Sequence, residues 1–229
     1  MNNCEAFLNA YRDLEEVLSQ KYGHRPGTVQ SFATEDGSKY YEELTVFREM
    51  RNLLSHHGKI DGEPPVLPSD ASLKKLLEIL DFAKNPPVAL TIATPRERLY
   101  CASGDNDIMQ ITSIMEKMGY SHIPILNKNG SLFGVFSVGT LFSYMKANAT
   151  KAIKGLKISD FSEFTPPHKH TTEKFMFVDR DASAATLKKM FTIKGPYKRR
   201  VVAVFVTADG TQNGKLLGMI TPWDVFKTE

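Results

Sequence analysis

A chain of 229 residues with 41% hydrophobic and 24% charged content is long enough for one large globular core or two modest ones. Its net charge of +3 is too small to demand nucleic acid as a partner, and its two cysteines, Cys4 and Cys101, exclude a disulfide scaffold and point to a reducing compartment. No apolar run approaches the ~20 residues of a membrane helix, and Met1–Glu5 lacks the features of a secretory signal, so the expectation is a soluble, cytoplasmic protein with no membrane partner.

Phe7, Tyr11, Leu14 and Leu18 recur at helical spacing and predict a helix over residues 3–22, ended by Gly23 and the Arg25-Pro26-Gly27 turn. The polar stretch to Gly37 reads as loop. Tyr40, Leu44, Phe47, Met50 and Leu54 predict a second amphipathic helix, stopped at Gly58. Asp61 to Pro68 is a rigid connector. Ser69 or Asp70 caps a third helix with Leu73, Leu76, Leu77 and Leu80 facing inward, and Pro86-Pro87 close it. Residues 1–86 therefore read as a small all-helical domain.

The pattern changes at Val88. Leu90-Thr91-Ile92-Ala93 reads as extended, and a strand is expected near Leu99-Tyr100-Cys101. Asp105 or Asp107 begins a helix with Ile108, Ile111, Met115 and Met118 on one face, ended by Gly119. His122 to Leu126 is a strand, Asn127-Lys128-Asn129-Gly130 a hairpin turn, Leu132 to Phe136 the returning strand, and Val138 to Lys146 a helix. After a link, Ile158 to Phe161 opens a second series. Residues 164–174 read as loop, Phe175 to Val178 as strand, and Ser183 starts a helix. Val201 to Val206 is a strand apolar on both faces, and Leu216 to Ile220 returns to Thr221. The order β-α-β-β-α occurs twice, so the expected fold class is α+β with a tandem repeat behind the helical domain.

The repeat is also verbal. Gly218-Met219-Ile220-Thr221-Pro222-Trp223-Asp224 has a strand running into a helix, with Thr221 as N-cap, Pro222 at the first helical position and an acid in the first turn. Such a helix start presents unpaired N–H groups to a phosphate. Gly134-Val135-Phe136-Ser137-Val138-Gly139-Thr140 has the same grammar but ends in a hydroxyl where the other copy carries the acid.

These two runs, with Gly119 to Ile125 and Arg199 to Val202 before them, resemble a tandem pair of CBS domains, the Bateman module, with copies over residues 87–150 and 151–229. The resemblance implies paired sheets with two clefts between them, and clefts that hold adenosine compounds: AMP, ADP, ATP or S-adenosylmethionine. It implies that Asp224 holds both ribose hydroxyls, that Thr221 takes phosphate, that Ile220 flanks the base, and that His122 beside Ser121 meets the phosphate from the other copy. In the second, weaker cleft the corresponding residues are Ser137 and Thr140, with Arg199 and Arg200 across from them and Lys194 and Lys198 completing a basic cluster. The function implied is an adenosine-nucleotide-sensing regulatory protein, a homodimer that needs no cofactor beyond that regulatory nucleotide.

Arg51-Asn52-Leu53-Leu54-Ser55-His56 resembles the Arg-Asn-x-x-x-His signature of HEPN domains, helical modules that include metal-independent ribonucleases. On that resemblance Arg51 braces a phosphate and His56 moves a proton. At positions 51 and 56 of one straight helix the side chains do not share a face, so a catalytic pair requires a bend or a second subunit. The alternative function is thus a ligand-gated ribonuclease acting on RNA. His168-Lys169-His170 lacks a third ligand and is set aside as loop, so no metal site is expected. Cys101 reads as a small buried residue.

Overall fold

The computed structural model describes residues 3–24, 26–149, 152–192 and 199–226. It divides into two compact units, Met1–Pro87 and Val88–Thr228.

The first unit is helical: α1 (Asn3–Tyr22), α2 (Thr28–Thr34), α3 (Tyr41–His56) and α4 (Asp70–Lys84). The stripe of α1 that the spacing predicts, Phe7, Tyr11, Leu14 and Leu18, packs on Phe32, Leu44, Phe47, Leu76 and Ile79. Full burial of such a side chain contributes about 1.5–3 kcal/mol. Phe7 meets Phe47 edge-on, with ring centroids 5.6 Å apart. Ser69 caps α4, its hydroxyl accepting from the backbone N–H of Ser72 at 3.1 Å. The expected loop before Gly37 instead contains α2, which buries Val29, Phe32 and Ala33. Seven residues are too few to repeat an apolar spacing, so this helix is held by packing and not announced by periodicity.

The second unit runs α5 (Ala89–Ile92), β1 (Thr94–Pro95), α6 (Ile108–Met118), β2 (His122–Leu126), β3 (Leu132–Ser137), α7 (Val138–Ala147), β4 (Glu173–Val178), α8 (Ala184–Thr192), β5 (Arg200–Thr207), β6 (Leu216–Ile220) and α9 (Pro222–Phe226). Strands β2 and β3 form an antiparallel hairpin, while β1, β6, β5 and β4 lie side by side in that order. Within the latter, β4 and β5 are parallel and the other pairs antiparallel. The caps obey the expected chemistry. Asp107 Oδ1 accepts from Met109 and Gln110 N–H, and Gly119 ends α6 in the left-handed region at φ 68°.

Two expectations fail here. Residues 89–92 are not extended but make the short helix α5, whose start is closed by Val88 N–H donating to Thr91 Oγ1 at 3.1 Å. No strand forms at Leu99-Tyr100-Cys101. The segment instead makes an isolated bridge to the hairpin at Ala102, which pairs with Ile125 through Ala102 N–H to Pro124 O and Leu126 N–H to Ala102 O.

Each copy is completed by the segment that precedes the other. Ala89 and Leu90 N–H donate to the carbonyls of Ala182 and Arg180, and β1 pairs with β6, so residues 88–95 pack on the second copy. Reciprocally, Ile108 N–H donates to Leu156 O and Ile158 N–H to Asn106 O, and Ile158 and Phe161 join the core of the first copy. Between the copies a third apolar cluster joins Leu132 and Val135 of β3 to Phe175, Ala203, Phe205 and Leu216. The hairpins meet as well: Leu216 N–H donates to Gly130 O, and Gln212 Nε2 donates to Leu132 O at 3.2 Å.

Glycine is required where the exchanged segments cross the returning strands. A Cβ on Gly134 of β3 would stand 2.5 Å from Thr165 O, and one on Gly218 of β6 would stand 2.8 Å from Thr94 O. Thr94-Pro95 and Thr165-Pro166 are therefore equivalent residues of the repeat, each laid against the glycine of a returning strand.

Candidate functional site

Strand β6 ends at Ile220, fully buried, and delivers Thr221 to the start of α9. Thr221 N–H and Thr221 Oγ1 both donate to Asp224 Oδ2, each at 2.7 Å. This is half of a capping box: the acid accepts from the Thr221 N–H, while the Thr221 hydroxyl donates to the carboxylate and Asp224 N–H donates to Thr221 O at 3.1 Å. It fixes the carboxylate and leaves Oδ1 without a donor among the described residues. Thr221 and Asp224 are half-buried, and between them Trp223, the only tryptophan of the chain, is 76% exposed.

The first copy repeats the strand-to-helix turn with different partners. Ser137 caps α7: Thr140 N–H donates to Ser137 Oγ at 3.3 Å and Ser137 N–H to Thr140 Oγ1 at 3.2 Å. Thr140 Oγ1 is also within 3.3 Å of Val135 O, and both side chains are buried. A carboxylate is nevertheless present, from β4. Ser137 Oγ donates to Glu173 Oε2 at 2.7 Å, His170 Nδ1 lies 2.9 Å from the same oxygen, and His122 Nε2 lies 3.0 Å from Glu173 Oε1. His170 is itself buried, with Nε2 3.2 Å from Thr165 O. Burial alone would raise the Glu173 pKa, but the bonds from His122, His170 and Ser137 outweigh it and hold the carboxyl well below its ordinary value.

Of the residues singled out from the sequence, Ile220, Thr221 and Asp224 are assembled at one turn. Ser137 and Thr140 are assembled at the other. His122, expected to serve the Asp224 cleft, has its hydrogen bond to Glu173 beside Ser137, its register partner across the hairpin. Ser121 is exposed. Arg199 Nε donates to Thr171 O at 3.1 Å, and Arg200 is exposed and pairs with Glu173 in the β4–β5 ladder. Lys194 and Lys198 lie outside the described residues. Sequence reasoning missed Glu173 and His170, which fall in the stretch read as loop. The available signal was the Thr-Pro pair at 165–166, a copy of the pair at 94–95, which marks residues 167–174 as the approach to a strand.

In the helical unit Arg51 and His56 line one cavity of about 330 Å³, together with Tyr11, Arg12, Glu15 and Ser55. Both residues thus border one hollow within a single chain. Arg51 Nη2 donates to Glu15 at 2.8 Å and 3.1 Å, and its guanidinium lies 5.8 Å from the centre of the Tyr11 ring. Burial, then the Glu15 charge, push the Tyr11 hydroxyl up to about 12, against the opposing pull of Arg51. Burial likewise raises the Cys101 thiol, as expected of an inert residue. Among the described residues no group of His, Cys, Asp and Glu is arranged to hold a metal ion, and no helix is long and apolar enough to cross a membrane.

Two β-α-β-β-α copies that exchange their leading segments, share an apolar seam and each end a strand in a capped helix define a tandem-repeat module. The CBS domain model matches residues 88–147 and 169–228, more than half of the chain, and the chain belongs to the CBS domain family. No curated protein matches it. Among solved structures it is similar to CBSX2 in complex with AMP, at 17% identity over 62% of this chain and 94% of that one, with a TM-score of 0.44. It is also similar to the CBS domain of a bacterial CNNM/CorC family Mg2+ transporter in complex with ATP, at 20% identity over 66% and 92%, TM-score 0.44. A third is CbpB from Streptococcus agalactiae, at 15% identity over 59% and 75%, TM-score 0.43. None of these likenesses is close enough to transfer a ligand.

Proposed function

We propose that the chain is a regulatory protein that senses an adenine nucleotide at Asp224. The observation that carries this reading is the state of that carboxylate: one oxygen is fixed by Thr221, and the other, with no donor among the described residues, can accept from a sugar diol. An ionised, acceptor-only group suits two adjacent hydroxyls, and hydrogen bonds to it are the strong kind. Ile220, at the end of β6, is fully buried and meets a base only if the turn opens, and Thr221, whose N–H and hydroxyl both donate to Asp224, reaches a phosphate only by turning its O–H away from that carboxylate. His122 and Ser121 complete the site from the other copy only if His122 leaves Glu173, a rearrangement that ligand binding would have to drive. Nucleotide energy acts on the module to the extent that it binds one arrangement of the two copies better than another. The protein works as a cytoplasmic homodimer. Thermal-shift measurement against AMP, ADP, ATP and S-adenosylmethionine tests the reading: stabilisation by at least one adenosine compound, and by none of the matching guanosine compounds, is expected. Indifference to all of them would sink it.

A second reading attaches to the helical unit, where Arg51 and His56 share a cavity with Glu15. In this reading the unit is a HEPN-like ribonuclease gated by the nucleotide, Arg51 bracing a phosphate of RNA and His56 moving the proton of a 2′-hydroxyl. Incubating the protein with RNA, with and without nucleotide, decides it: cleavage must occur and must disappear in His56→Ala.

A further inference from the structure

Both copies bring an N-cap hydroxyl onto a carboxylate at the same distance, but they draw the carboxylate from different places. Thr221 Oγ1 donates to Asp224 in its own first turn at 2.7 Å. Ser137 Oγ, in the copy whose first turn carries Thr140 and no acid, donates to Glu173 of β4, also at 2.7 Å. The carboxylate has been replaced from across the repeat.

The two carboxylates differ in what remains of them. A carboxylate offers about four lone-pair sites. Among the described residues Asp224 has both its donors on Oδ2 and none on Oδ1. Glu173 is engaged on both oxygens, by Ser137 and His170 on Oε2 and by His122 on Oε1, and cannot present a clear edge to a diol. Thr140, which the resemblance offers for the sugar, is 1% exposed and has its hydroxyl engaged by Ser137 N–H and Val135 O. Glu173 also lies against the first turn of α7, where a Cβ on Gly139 would stand 3.3 Å from Oε2. A phosphate approaching there meets a negative charge already seated, at a position whose ladder partner is Arg200.

From these contacts the structure assigns Glu173 as the resident anion of the first cleft, an internal carboxylate that shuts that cleft to phosphate- and sugar-bearing ligands and leaves Asp224 as the point of entry. The inference rests on the proposed function for the class of ligand, but the closure can be tested without any nucleotide.

The test is anion replacement in the full chain. Glu173→Ala removes the carboxylate and leaves its donors facing a hole. Sodium acetate, at ionic strength matched with NaCl, is expected to give that variant a saturable rise in melting temperature and to shift the imidazole resonances of His122 and His170; inorganic phosphate is expected to do the same. The unmodified chain should show neither response, because its own anion is in place. If the alanine variant does not fold, Glu173→Ser leaves nearly the same space, and phosphate should then shift both imidazoles. Absence of a response in whichever variant folds, or a saturable phosphate shift of His122 and His170 in the unmodified chain, overturns the assignment. A chain that binds no adenosine compound but whose variant is rescued by acetate keeps the closure and rejects the sensor.

Discussion

Replacing Asp224 by asparagine tests the proposed site with the least disturbance, because the amide oxygen can still accept from Thr221 while the charge is lost. In the intact protein Asp224 Oδ2 takes Thr221 N–H and Oγ1 at 2.7 Å each, leaving Oδ1 for a ligand. A hydrogen bond to a charged group contributes about 1.5–3 kcal/mol, against about 1 kcal/mol for a neutral one. Two sugar hydroxyls that lose a charged acceptor should therefore weaken binding roughly ten- to a hundredfold. Part of the cap is lost too, at most about 1 kcal/mol of stability, and a denaturant melt without ligand measures that share separately. The sole tryptophan, Trp223, adjoins Asp224 and is 76% exposed, so its emission serves as a built-in reporter for titrating an adenosine compound, checked by calorimetry. An unchanged Kd in Asp224→Asn would refute the reasoning; a lowered ligand-free melt beside it would leave the carboxylate as a cap and nothing else.

Glu173 predicts a pH dependence. Its folded-state pKa lies below its ordinary value, so its contribution is fully present above the unfolded-state pKa of about 4.3 and is lost as pH falls through the folded value. Urea melts should show the unmodified chain more stable than Glu173→Gln at neutral pH, with the gap narrowing below about pH 4; a constant gap refutes the linkage. Gly134→Ala places a Cβ 2.5 Å from the Thr165 carbonyl and should cost about 1–3 kcal/mol by denaturant melt, beyond what Ala causes at Gly58, where nothing lies within 4 Å. Ser69→Ala removes the cap of α4 and should lower the stability of the helical unit by about 1 kcal/mol, read from the helical signal during unfolding.

Elements with several turns or several alternations were legible because their signal repeats. The spacing of Phe7, Tyr11, Leu14 and Leu18 needs nothing beyond α1, and Asp107 and Gly119 mark both ends of α6 by local chemistry alone. Elements that exist through distant contacts were not. Helix α5 is held by carbonyls of Arg180 and Ala182, and α2 by the aromatic core around it. The Asp224 turn was readable because all its partners lie within four consecutive residues. The Glu173 cluster was not, because its members come from β2, the end of β3 and the approach to β4, and no local rule joins them.

The exchange of leading segments explains why the two turns can diverge chemically while the architecture stays paired. Thr94 lies against Gly218 and Thr165 against Gly134, so each returning strand is held at both edges whatever its helix start carries. Position 140 can therefore do without an acid and leave α7 firm, provided some anion meets the Ser137 hydroxyl and the two buried or half-buried imidazoles. Glu173 supplies that anion from the strand that the exchange brings alongside. On the proposed reading the consequence is directional: with one carboxylate engaged on both oxygens and the other on one, a ligand at Asp224 would load one side of the repeat, and a difference in affinity between arrangements would arise from that imbalance.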